Sequence, residues 1–386
     1  MNPALARLLH LAQAPERRIL GLMSGTSLDG LDLALCRCRG HGKALSVEVE
    51  HYITVPYPAA WQARLRAISQ PRISLEELTI LHAALGRYHA ALVLQTLAGW
   101  GVLPAEIDLL ASHGQTIWHT PAHQRPGHDY QHHATLQIGD ADHLAALTGI
   151  ITVADFRQKH VAHGHEGAPL AGFADALLFR SPKAPRFLLN LGGIANFTYL
   201  PAGGGPALVT DTGPANTLLD SVIRQHLPGQ TCDEGGRLAA QGAAHPALLA
   251  ALLADSFFAA PLPKTTGPEL FGPAYLATAQ AATGTAALPL PNLLATLVEL
   301  TAASVTAAAR PCAPPGPRPE VFVSGGGLHN PTLLAALRRQ WPAAKWASTA
   351  ALGIAPDAKE AVLFAVLANE TVAGNPALSL GKISLP

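Results

Sequence analysis

The sequence predicts an α/β chain of two duplicated lobes around one cleft, on three observations. Its 386 residues are 49% hydrophobic and 13% charged, apolar enough to bury the cores of two or three compact units and too apolar for a disordered or coiled-coil chain. A strand, glycine turn and returning strand near the N-terminus recur about 170 residues later, as a duplicated scaffold would require and a single doubly wound sheet would not. A third glycine turn, Gly325-Gly326-Gly327, joins a strand to a helix near the end.

Residues 18–23 read as a strand, 24–30 as a polar, glycine-bearing turn and 31–36 as the returning strand. Apolar residues at helical spacing fill 74–100, and 107–111 then reads as a buried strand that ends in Ser112-His113-Gly114-Gln115-Thr116. Strands around 137–140 and 150–155 bracket a short helix, and the glycine- and histidine-containing loop 162–169 lies near the lobe boundary. The expected lobes are residues 1–147, rejoined by 374–386, and residues 148–373. The second hairpin is 186–191, Gly192-Gly193 and 194–200. A short strand at 208–211 precedes a helix at 217–226, which places Asp211 near a helix N-terminus. A strand at 320–324, the triple glycine and a helix at 330–340 follow, and a helix at 358–373 closes the cleft.

Lys plus Arg and Asp plus Glu each total 26, so no global field favours nucleic acid or an anionic membrane as partner. Cys36, Cys38, Cys232 and Cys312 lack C-x-x-C spacing, which indicates neither zinc nor a disulfide framework. Residues 1–18 lack a secretory signal pattern, so a cytoplasmic protein is expected. The apolar stretch 288–309 is broken by Pro291, Asn292 and Glu299, and reads as a buried helix rather than a membrane span.

Glycine-bearing hairpin tips let backbone N–H groups approach phosphate oxygens without a Cβ in the way. The tips at Ser24, Gly25, Thr26, Ser27, Leu28, Asp29, Gly30 and at Gly192, Gly193 are therefore candidate phosphate clamps, and Gly325-Gly326 offers bare backbone to a nucleoside. Neither a G-x-x-x-x-G-K-[ST] motif nor a dinucleotide G-x-G-x-x-G with its downstream acid is present, which leaves phosphate recognition of the actin type. Asp29 and Asp211 each neighbour glycine at a strand end, where a carboxylate can reach Mg²⁺, water or a sugar hydroxyl. An Asx turn at Asp29 and a helix N-cap at Asp211 are the structural alternatives. His160, His163, His165 and Glu166 resemble a metal cluster, but solvated loop histidines are the preferred reading and no metal site is assigned.

The ordered motifs at 21–30, 112–116, 153–157, 167–170, 190–196 and 211–214 resemble those of anhydro-N-acetylmuramic acid kinases. The similarity continues through 257–258, 263–264, 266–267, 324–327, 329–331 and 357–361, nearly the whole chain. The resemblance implies an actin-like ATPase fold of the sugar kinase/actin superfamily. The implied reaction takes ATP, Mg²⁺ and 1,6-anhydro-N-acetylmuramic acid, an amino sugar of cell-wall recycling, to N-acetylmuramic acid 6-phosphate and ADP. Carried over by residue, it implies that Ser24 through Leu31 wrap the ATP phosphates, that Asp211 is the general base, and that His113, Gln115, Thr116 and Arg157 line or support the sugar pocket. It also implies a homodimer. The chain departs from the family's pattern at His160, at Gly164-His165-Glu166-Gly167 and at Ala215, where glycine is usual. Competing readings are a sugar- or nucleotide-sensing module without turnover, a chaperone-like or filament-forming ATPase, and a kinase of another amino sugar.

Overall fold

The computed structural model describes residues 2–25, 27–68, 73–125, 127–267, 269–313, 315–374 and 380–386; Thr26 of the first hairpin tip lies outside them. The chain divides into two compact units, Met1–Leu178 with Ala358–Pro386, and Phe179–Asp357. Among the described residues the strands are β1 (Glu16–Ser24), β2 (Gly30–Arg39), β3 (Ser46–Pro56), β4 (Leu109–Thr120), β5 (Ala134–Ile138), β6 (Thr152–Ala154), β7 (Arg186–Leu191), β8 (Ile194–Leu200), β9 (Leu208–Pro214), β10 (Glu320–Ser324), β11 (Lys345–Ser348) and β12 (Lys382–Ser384).

The first sheet runs β12-β6-β4-β1-β2-β3, with β5 on β4, and the second runs β11-β10-β7-β8-β9. In each, three strands form an antiparallel meander, and the next sheet strand pairs parallel to the first of the three: β4 on β1, and β10 on β7. With β5 and β12 set aside, both units read third-second-first-fourth-fifth. That repeated order is the duplicated α/β, actin-like architecture the sequence predicts.

The division falls at 178/179 and 357/358 rather than at 147/148 and 373/374. Strand β6 is hydrogen-bonded to β4, and Asp175 in the helix Ala171–Leu178 pairs with Lys359 at 3.1 Å, which ties both segments to the first sheet. The helix Lys359–Ala373 also packs on β1, where a Cβ added at Gly21 would lie 1.9 Å from the Ala361 carbonyl oxygen.

The core of the first unit joins Leu20, Leu22, Leu31, Leu33 and Leu35 of the sheet to Leu81, Leu85, Val93 and Leu97 of the helix Leu75–Gly99. Ser74 starts that helix by accepting from the Glu77 N–H, and Glu76 and Glu77 complement its positive end. Arg17 is fully buried, donating to the carbonyls of Leu11, Ala14 and Gly40 and to Asn369 Oδ1. In the second unit, Leu290–Cys312 is long and apolar enough to cross a membrane by length and composition, but 72% of that window is buried in the fold. Leu293, Leu294, Leu297, Leu300 and Val305 sit in the unit's core, as the sequence reading expects.

The close approach at Gly21 has a direct consequence. Gly21→Ala should lower stability by about 1–3 kcal/mol or more, because backbone rather than a flexible side chain must yield. Urea unfolding checks this, and an unchanged midpoint would show that the helix moves freely on β1.

Candidate active site

In the first unit the stretch 112–116 does not follow a strand, as expected from its polarity, but lies within β4. The parallel register with β1 slips between Leu22↔Ser112 and Ser24↔Gln115. The extra residue forms a bulge at which Gly114 takes φ +70°, and a Cβ there would meet the Ile138 carbonyl at 2.5 Å. Bulges re-aim side chains, and this one brings four of the predicted residues into two hydrogen-bonded pairs.

The first pair is Ser24 and Gln115. Ser24 Oγ donates to Gln115 Oε1 at 2.6 Å, and Gln115 Nε2 returns to the Gly25 carbonyl at 3.2 Å. Behind Ser24 lie two residues the sequence reading missed: Tyr57 Oη donates to Ser24 Oγ at 3.0 Å and meets His89 Nε2 at 2.7 Å. The tyrosine proton is committed to Ser24, which assigns the Nε2–H tautomer to His89. All four side chains are buried, and burial pushes the His89 pKa down to about 3. The imidazole is thus neutral, and the network runs from His89 through Tyr57 and Ser24 to Gln115.

The second pair is His113 and Arg157. Arg157 Nε donates to His113 Nε2 at 2.9 Å, and His113 Nδ1 meets the Gly114 carbonyl at 2.9 Å, so His113 carries its proton on Nδ1. Burial first, and Arg157 second, push its pKa down to about 3. Arg157 also donates to the Gly167 carbonyl at 3.1 Å. Thr116 Oγ1 accepts from Gln137 Nε2 at 3.1 Å; Gln137 Oε1 is buried with no partner among the described residues. Glu360, in the 357–361 motif but given no role in the sequence reading, has Arg157, Asp32 and Asp29 as electrostatic neighbours. Its side chain is solvent-accessible, yet it has enough protein around it that lost hydration is the leading cause of its raised pKa.

At the hairpin tip Ser27 Oγ donates to Asp29 Oδ1 at 2.7 Å, a contact between side chains. Leu28 holds φ +58°, a costly conformation for a leucine that clusters at ligand clamps. Leu28 and Leu31 bury their side chains in the core, so only their backbones can serve a ligand. A Cβ at Gly30 would lie 2.5 Å from the Val55 carbonyl, so this glycine answers to strand β3.

In the second unit Asp211 lies inside β9, paired with Asn196, and not at a helix terminus. The N-cap position of the helix Asn216–His226 is Ala215 at φ −121°, which removes the capping alternative for Asp211 and shows that Ala215 needs no positive φ. A register slip between Asn196↔Asp211 and Ala195↔Gly213 makes Thr212 the extra residue of a bulge beside Asp211. Asp211 Oδ2 accepts from the Thr266 N–H at 2.8 Å. Burial raises the pKa to about 6, opposed by that one hydrogen bond. No cation among the described residues contributes.

The Gly192 and Gly193 carbonyls accept from the N–H groups of Ala215, Asn216 and Thr217. Since C=O and the next N–H point oppositely in a trans peptide, the Gly193 and Ile194 N–H groups face away from that helix. A Cβ at Gly193 would lie 2.6 Å from Thr217 Oγ1, one at Gly325 would lie 2.5 Å from Asn190 Oδ1, and one at Gly327 would lie 2.6 Å from Leu191 Cβ. These three glycines are therefore required by packing, whereas at Gly326 the nearest atom is 3.5 Å away, ordinary contact.

Among the described residues no trio of His, Cys, Asp and Glu is placed to hold a metal. His160 is buried, accepts from the Gly167 N–H at 3.2 Å and stacks on His165 at 4.6 Å. It organises its own loop.

The sequence profile of the anhydro-N-acetylmuramic acid kinases matches residues 17–381. The chain belongs to the anhydro-N-acetylmuramic acid kinase family. Anhydro-N-acetylmuramic acid kinase from Pseudoalteromonas translucida is 46% identical over 97% of this chain and 94% of that protein. That from Pseudoalteromonas atlantica is 44% identical over the whole of both, and that from Caldanaerobacter subterraneus is 38% identical over 96% and 94%. Solved structures of lower similarity include the activator of the 2-hydroxyisocaproyl-CoA dehydratase from Clostridium difficile with bound ADPNP, 12% identical with a TM-score of 0.42, covering 92% of this chain and 95% of that one.

The buried chain behind Ser24 can be tested alone. Tyr57→Phe removes the donor to Ser24 and orphans His89 Nε2, so it should cost about 1–3 kcal/mol in urea unfolding. A wild-type midpoint would show that the network adds no net stability.

Proposed function

We propose that this protein is an ATP-dependent kinase of 1,6-anhydro-N-acetylmuramic acid, opening the anhydro bridge hydrolytically and giving N-acetylmuramic acid 6-phosphate and ADP in cytoplasmic recycling of cell-wall sugars. Family membership supports this reading over a sensing module. The observation that carries the mechanism is Asp211: half-buried, with one backbone donor, no cation and a pKa near 6, it suits a general base working around neutrality.

Asp211 takes a proton from water as the water oxygen bonds to C1 of the sugar. The C1–O6 bond breaks, O6 bonds to the γ-phosphorus of ATP, and the bond from that phosphorus to the β-phosphate bridging oxygen breaks to release ADP. Ordinary glycoside hydrolysis needs a second carboxyl to protonate the leaving oxygen. Here the leaving O6 remains on the sugar and is captured by phosphorus, so one base suffices.

The tip backbone from Ser24 to Leu31 and the N–H groups following Gly192 and Gly193 would receive phosphate oxygens, with Gly325 and Gly326 presenting backbone to the adenosine. Arg157, held by His113 and the Gly167 carbonyl, keeps further N–H donors for the sugar or its acidic substituent. Gln115 and Thr116 act from β4, Gln115 through Ser24. Asp32 Oδ1 is already engaged by Tyr52 Oη and Thr54 Oγ1; Asp29 at the tip is an oxygen donor of the kind that suits a magnesium held by one carboxylate and phosphate oxygens, the usual arrangement with nucleotides. Bound there, Mg²⁺ would supply charge neutralisation for the phosphates.

An ADP-release assay with ATP, Mg²⁺ and the anhydro sugar, read by mass spectrometry, should yield a product heavier by one phosphate and one water. A gain of phosphate alone would overturn the hydrolytic step. Asp211→Asn should retain ATP binding while kcat falls by about 10²–10⁴-fold. Because the base acts ionised, kcat/KM for the sugar should be level above pH 6 and fall about tenfold per unit below it. A flat profile from pH 5 to 8 would reject Asp211 as the base.

A further inference from the structure

Asp211 is held by the segment that crosses it, and that segment is held by Lys264. The Lys264 carbonyl accepts from the Asp211 N–H at 2.9 Å, and two residues on the Thr266 N–H donates to Asp211 Oδ2 at 2.8 Å. Main chain and carboxylate of the same residue are thus gripped by one short stretch. Thr210 Oγ1, 3% exposed as a residue, staples that stretch to β9: it accepts from the Lys264 N–H at 3.0 Å and lies within donating distance of the Lys264 carbonyl at 3.2 Å.

The Lys264 side chain takes the other direction. Its Nζ donates to the carbonyls of Phe257 and Phe258 at 2.7 and 3.1 Å and lies 4.4 Å from the Phe257 ring centroid. These carbonyls belong to the short helix Ser256–Ala259, whose end is a favourable seat for a cation. Phe257 and Phe258 are in turn packed on Phe271. The ammonium therefore pins the 263–266 segment to an aromatic cluster rather than facing the carboxylate, and it makes no direct contribution to the charge environment of Asp211.

We infer that Lys264 and Thr210 are positioning residues that fix Asp211 for catalysis through the main chain of the 264–266 segment. This rests on Asp211 being the base. Lys264 anchors the segment from behind, Thr210 registers it on the strand, and Thr266 delivers the hydrogen bond. A lysine so near an active carboxylate would ordinarily be read as a phosphate or substrate ligand; here two carbonyls and an aromatic face already occupy its ammonium.

The test compares Lys264→Met, Lys264→Arg and the nearly isosteric Thr210→Val with Asp211→Asn, using kcat, KM for each substrate, and the pH profile. With the clamp loosened, kcat should fall about 10- to 100-fold, the scale of a small misplacement of a reacting group, with KM for ATP within about twofold. Weakening the Thr266 N–H bond removes a donor that favours the ionised carboxylate, so the acid limb of kcat/KM should move to higher pH. Lys264→Arg should recover part of both effects, and Lys264→Met with Thr210→Val should be less than additive, since both act on one segment.

Wild-type kcat with an unmoved acid limb in Thr210→Val and Lys264→Met overturns the inference. So does a fall in kcat with an unmoved limb, the mark of general damage. If Lys264→Met does not fold, Thr210→Val alone decides by the same two readouts. Turnover retained by Asp211→Asn would instead refute the base assignment on which the clamp rests, whereas a dead Asp211→Asn beside clamp variants with wild-type profiles refutes the clamp alone.

Discussion

A carboxylate that must accept a proton near neutrality cannot be given a cation. An Asp211 paired with arginine or lysine would be a poor base, and one left in open water would keep the ordinary acidity of aspartate. In the proposed role of Asp211 as base, the fold meets this constraint by withdrawing the residue into β9 and giving it one backbone donor. With no ion pair to Asp211 among the described residues, its carboxylate is held by the Thr266 N–H and its main chain by the Lys264 carbonyl. In the proposed role of Asp211, the bulge at Thr212 and the crossing segment at 264–266 would set where the carboxylate sits.

The two units solve related problems with one strand order and different local chemistry. At the end of the parallel pair β1/β4 the opposed residues are Ser24 and Gln115; at the end of β7/β10 they are Asn190 and Ser324. Each pair is polar and stands where a hairpin turns. In the first unit the turn has side chains, a strained Leu28 and a buried network behind Ser24. In the second it is Gly192-Gly193, whose carbonyls are tied to the helix Asn216–His226. The first tip is positioned by side-chain hydrogen bonds and the second by main-chain ones.

Much of the fold was legible because hydrophobic spacing and glycine turns are local signals. The hairpins around 24–30 and 192–193, the helix after the triple glycine and the core helix at 290–309 all follow from them. Polarity misled at 112–116 and at Asp211, where polar residues were read as strand ends. Both stretches are bulged strands whose polar groups find partners far away in sequence: Gln115 meets Ser24, His113 meets Arg157, and Asp211 meets Thr266. No periodicity reports such pairings. Tyr57, His89 and Thr210 escaped for the same reason, whereas Lys264 and Glu360 stood inside recognised motifs and lacked only a geometry to give them roles.

The glycines sharpen the distinction between a motif and its meaning. Gly30, Gly193, Gly325 and Gly327 all lie in stretches that read as phosphate or nucleoside contacts, yet each would drive a Cβ into protein atoms of its own unit. Their absence of side chains is a packing requirement before it is a binding feature. In the peptide units after Gly192 and Gly193 the carbonyls are engaged by the helix Asn216–His226 and the N–H groups point the other way. The same short turn thus satisfies the helix with its oxygens, and in the proposed role it would meet phosphate with backbone alone, whereas the first tip is backed by a network of four side chains.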